Sequence, residues 1–120
     1  MDILKSIVIL PILDFIYLKS VSNHFNKQIL DVQKSEQVFR IAPAIVCYIA
    51  LLFGLNYFIL RSNKSRKEKI IDAILLGLVI YTVYETTNMA IFKDWNIKSV
   101  LIDSIWGGVV MGLTTFIVTI

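Results

Sequence analysis

The chain has 120 residues, 57% of them hydrophobic, with a mean hydropathy of +0.73 and a formal net charge of +3. Such a composition excludes an ordinary soluble domain, and the long apolar stretches leave too little chain between them for a second, soluble one. Cys47 is the single cysteine, with no intrachain partner and no metal-ligand spacing around it, so no disulfide, metal site or cofactor is expected.

Four apolar stretches run from Ile3 to Val21, Val38 to Leu60, Ile70 to Phe92 and Ile97 to Ile120. Each matches the ~20 residues needed to cross a ~30 Å hydrocarbon core at ~1.5 Å per residue. Backbone polar groups in lipid must be satisfied within a helix or a closed barrel, and runs without alternation are helices. The expectation is a single all-α domain over residues 1–120, an integral membrane bundle of four transmembrane helices.

In the first stretch, Lys5 and the small residues Ser20-Val21-Ser22 resemble a cleavable signal. Pro11 and Asp14 interrupt its apolar run, however, and Lys19 sits just before the supposed cut, so the stretch reads as a true span. Asp14 and Tyr17, three apart, share a helix face.

The connection Ser22–Gln37 is the only long one. Phe25, Ile29 and Val32 fall at i, i+4 and i+7, which predicts a short interfacial helix over about 23–34. His24, the only histidine, reads as a headgroup-level residue, and no nucleophile motif accompanies it.

The second stretch carries Arg40 at its outer end, Pro43 near the first turn, and Tyr48 deeper. Beyond it, Arg61, Lys64, Arg66, Lys67 and Lys69 are opposed only by Glu68. The positive-inside rule makes loop 61–69 cytoplasmic, with both termini on the same side. These cations read as stop-transfer and lipid-headgroup contacts, not as a nucleic-acid site, so the bilayer is the expected partner.

Asp72, at the start of the third stretch, suits the positive end of a helix dipole. Further along, Tyr81, Glu85 and Asn88 stand at i, i+4 and i+7, flanked by Tyr84. On the fourth stretch Asp103 and Trp106 are three apart. Ser104, Gly108 and Gly112 form a small-residue stripe that permits close helix approach, within the bundle or across a homo-oligomer, and Gly54 and Gly77 could serve alike.

Three ionisable groups thus lie inside apolar spans, where each costs roughly 2.5–3.5 kcal/mol. Counted from the outer ends of their helices, Asp14, Glu85 and Asp103 sit at about 9–10 Å depth, in one layer. Tyr17, Arg40, Tyr48, Tyr81, Tyr84, Asn88 and Trp106 supply the phenol, guanidinium, amide and indole donors expected around it. Two readings stay open. In one the layer binds a proton or a small cation, as in a transporter or channel component, because carboxylates in one low-dielectric pocket cannot all ionise. In the other the acids only fix helix packing, as in a structural membrane protein of a virion or larger complex. An enzyme is disfavoured, since no nucleophile–base pair or metal cluster has the right spacing.

The residues also resemble a family. Leu13-Asp14-Phe15-Ile16-Tyr17-Leu18, Pro43-Ala44 with Tyr48, the block Tyr81 to Asn88, Lys93-Asp94-Trp95, and Asp103-Ser104-Ile105-Trp106-Gly107 are similar to the landmarks of domain of unknown function 2177. That is a membrane family of bacteria, algae and large DNA viruses. The isoleucine-rich, lysine-preferring composition also fits a viral or AT-rich source. Glu85 stands where the family usually has aspartate, and Tyr17 where it often has tryptophan. The resemblance implies a four-helix integral membrane protein and supplies no activity.

Overall fold

A computed structural model describes residues 2–35 and 40–120, all helical apart from turns, with no strand among them. Helix α1 spans Asp2–Gln33. Helix α2 spans Ile41–Gly54 and continues through a π-helical segment, Leu55–Leu60. Helices α3 and α4 span Arg66–Ile91 and Ile97–Val118. The bundle measures 47 × 24 × 21 Å.

Three helical segments, Ile41–Leu60, Arg66–Ile91 and Ile97–Val118, are long and apolar enough to cross a membrane. Half of α4's apolar window is buried in the bundle, against 22% for α2 and 17% for α3, which makes α4 the central helix. Large apolar side chains cover the outside of all four helices, including Phe15, Phe53, Val79 and Ile105. A patch of that extent suits lipid, not water.

Two expected boundaries differ. No break follows Val21: α1 continues to Gln33, so the predicted interfacial segment 23–34 is the far end of α1. Pro11 lies inside this helix, and the segment beyond Val21 contains no glycine or proline to stop it. Phe25, Ile29 and Val32 are half-buried, as their spacing predicts, but the most buried residue there is Gln28. Termination comes at Lys34, whose φ of 61° is left-handed. The expected start of the second helix at Val38 lies outside the described residues.

Helix α3 starts at Arg66, four residues before the apolar run, because Ser65 caps it. The Ser65 Oγ accepts from the Glu68 amide at 3.2 Å. Asp72 therefore lies beyond the first turn of α3, where it accepts from Lys64 Nζ at 2.6 Å, and this hydrogen bond raises the lysine pKa. Asn96 caps α4 in the same manner, accepting from the Ser99 amide at 3.0 Å.

Glycine sets the α3–α4 contact. A Cβ on Gly77 would lie 1.9 Å from the Gly107 carbonyl oxygen, and one on Gly107 would lie 2.4 Å from Tyr81 Cγ. Gly108 packs on Leu78 and Gly112 on Ile74 in the same seam. Of the two uses expected of the stripe, Gly108 and Gly112 thus serve the one within the bundle. Ser104 lies above the seam with its buried hydroxyl unpartnered. Gly54 has nothing within 4 Å of a Cβ and serves no close approach. Below the acids, Leu10, Leu51, Leu55, Val110 and Met111 fill the centre.

Candidate functional site

Antiparallel packing of α1 on α4 places Asp14 level with Trp106, and Tyr17 level with Asp103. Each helix carries one acid and one donor, three residues apart, on the face it turns to the other. Trp106 Nε1 donates to Asp14 Oδ1 at 3.0 Å, and Tyr17 OH donates to Asp103 Oδ1 at 2.9 Å. The second oxygen of Asp14 accepts from Tyr48 OH, which draws α2 into the site. Asp14 is only 8% exposed, so both of its oxygens are satisfied by protein rather than water.

Glu85 is the most buried of the three acids, at 1% exposure. Trp95 Nε1 donates to its Oε1 at 2.9 Å, from the turn between α3 and α4. On its other side lies Asp103 of α4, its neighbouring carboxyl group. Both tryptophans of the chain therefore serve carboxyl groups, and Asp103 joins the Glu85 pair to the Tyr17 phenol.

Not every expected member of the shell takes part. Tyr84 points outward, 59% exposed, because it is one residue off the Tyr81–Glu85–Asn88 face. Arg40 is exposed at the N-cap of α2 and forms no ion pair among the described residues, so it is not the counter-charge of the layer. Tyr81 packs its ring against Gly107 instead of bonding an acid. Asn88 is buried beside Glu85 on the same face, without a hydrogen bond to any of the three acids among the described residues. Trp95 is the member that sequence reasoning missed. Its signal was an indole in a tight turn one helix end away from Glu85, but helical spacing cannot count across a turn. Among the described residues no group of three or more His, Cys, Asp and Glu is arranged to hold a metal ion.

A second polar cluster lies toward the far end of α1. Gln28, 3% exposed, accepts from the Asn96 amide at 3.0 Å and from Ser99 Oγ at 2.9 Å, and donates to the Asp94 carbonyl at 2.7 Å. His24 Nε2 lies 2.9 Å from Ser99 Oγ. The fully buried Ser99 Oγ lies within hydrogen-bond reach of Gln28 Oε1, Asn96 Oδ1 and His24 Nε2, so the cluster clasps the start of α4.

A family model described as predicted membrane protein (DUF2177) matches residues 1–120. Comparison with curated proteins and with solved structures gives no match.

Proposed function

Since the chain belongs to the DUF2177 family of predicted membrane proteins, we propose that it is a multi-pass protein whose buried carboxyl layer binds and releases a proton, as a component of a transporter or channel. The observation that carries this reading is the neighbouring carboxyl groups of Glu85, buried, and Asp103, half-buried, set among apolar helices and connected through Tyr17 to the Trp106–Asp14 side. Indole and phenol groups occupy Asp14 Oδ1 and Oδ2, Asp103 Oδ1 and Glu85 Oε1, which favours a proton over a small cation as the ligand. In this reading α1 is the fourth span. Its 32 residues extend ~48 Å, more than the ~30 Å core, so its far end stands clear of the bilayer. Loop 61–69 and the termini face the cytoplasm.

The test is reconstitution in liposomes with a pH-sensitive dye inside, alongside infrared detection of a protonated carboxyl in the purified protein. Proton flux and the carboxyl band should both vanish in Glu85→Gln and Asp103→Asn while helix content persists. A specific observation favours a second reading. Asp14 and Asp103 each accept from a different helix, and Glu85 accepts from the inter-helix turn, as expected of acids that only hold the bundle in register. Wild-type protein without flux, or flux unchanged in both variants, would decide for that structural role.

A further inference from the structure

The opposite end of the molecule carries a cavity unrelated to the acids. An apolar crevice of about 810 Å³ opens between the first half of α1 and the last turns of α2, lined by Ile3, Ile7, Ile49, Leu52 and Phe53. Its size lies in the ~300–1,000 Å³ range of small-molecule sites. One wall is the π-helical segment, where Arg61 N bonds to Asn56 O, five residues back. Wide turns of this kind recur at functional sites in helices.

Arg61 stands at the mouth. Its guanidinium stacks on Tyr57, 3.8 Å from the ring centroid, and its Nε donates to the Tyr57 carbonyl at 3.1 Å. That leaves both terminal nitrogens of the fork uncommitted among the described residues. Beside the crevice lies a smaller cleft of about 310 Å³, with Lys5, Arg66 and Lys69 around it. Asp2 borders both cavities and is the acid among these cations. Arg66 is held by Thr119 Oγ1 and the Phe116 carbonyl, and Lys69 by the Leu60 carbonyl. Arg61 and Lys5 are therefore the cations available to a ligand.

We infer that the α1–α2 crevice holds one molecule of an anionic phospholipid, its acyl chain against Ile7 and Leu52 and its phosphate on Arg61. Apolar walls that end in a cationic rim match a lipid, and the excess of cations over Asp2 selects a negative headgroup. Free phosphate would satisfy the rim but leave the crevice unused.

Native mass spectrometry of the purified full chain, offered phosphatidylglycerol and phosphatidylcholine vesicles, tests this. The protein should retain one phosphatidylglycerol in preference to phosphatidylcholine. Arg61→Gln should lower its retention about fivefold, the usual effect of one basic group at a membrane surface. Ile49→Trp, at a position already 61% exposed, should fill the crevice and abolish retention. Val79→Trp, 62% exposed on α3 away from the crevice, should change nothing. Excess inorganic phosphate should not displace the lipid. Absence of bound lipid, equal retention of both lipids, full retention in Ile49→Trp or Arg61→Gln, loss in Val79→Trp, or displacement by phosphate would each overturn the assignment.

Discussion

Tyr17 and Trp106 stack face to face, with ring centroids 4.5 Å apart and planes 1° from parallel, and each gives its polar hydrogen to the acid on the other's helix. The exchange is reciprocal. Tyr17 of α1 serves Asp103 of α4, and Trp106 of α4 serves Asp14 of α1. The stack fixes both donors, so neither acid can lose its partner by a simple rotation of one ring.

Trp106→Phe should keep the stack and strip Asp14 of one donor, lowering stability by about 1–2 kcal/mol. Tyr17→Ala and Trp106→Ala, which do remove the stack, should show a coupling of about 0.5–3 kcal/mol in a double-mutant cycle, because the two residues share a contact. Unfolding in mixed detergent micelles measures both. Additive losses would mean that the rings act independently.

The shell around Glu85 should respond to Trp95 and not to Tyr84. Trp95→Phe leaves a buried oxygen without its donor, at about 1–3 kcal/mol. Tyr84→Phe alters only an exposed side chain and should stay within about 0.5 kcal/mol of wild type. The same detergent titration separates them.

Two glycines make opposite predictions. Gly77→Ala drives a methyl into the Gly107 backbone and should cost about 1–3 kcal/mol or more, since neither backbone can yield. Gly54→Ala meets open space in a helix and should be neutral or stabilise by about 0.5–1 kcal/mol. Thermal unfolding of both proteins is the check.

Gln28→Ala should release the start of α4. The Asn96 amide loses its acceptor, so its hydrogen exchange should speed up, while exchange near the glycine seam stays as it was. Uniform acceleration along α4 would instead mean that Gln28 supports the whole bundle.

Apolar length made the helices legible in the sequence, and antiparallel counting brought Asp14, Glu85 and Asp103 to one depth. Same-face spacing identified Tyr17 and Trp106 as donors, because i, i+3 geometry is local. What spacing could not reveal is which acid each donor serves, since that depends on helix rotation and pairing. Trp95 escaped for a related reason: its indole reaches Glu85 by folding back across a turn. Arg40 and Tyr84 looked like partners by depth and sequence proximity, but their side chains are exposed. The run past Val21 was misjudged because polar residues there suggested a surface connection. Gln28 is buried instead, its amide satisfied by the α3–α4 turn and the start of α4.

The backbone contact of Gly77 with Gly107 bears on how the molecule could move. Helices touching at that distance have no side-chain layer to slide on, so α3 and α4 travel as one rigid body. The acids' ties to α1 and α2 run instead through side chains: two phenols, an indole and a ring stack. The α3–α4 hairpin is thus the stiffest part of the fold at the level of the carboxyl layer, and α1 and α2 are joined to it there through side chains.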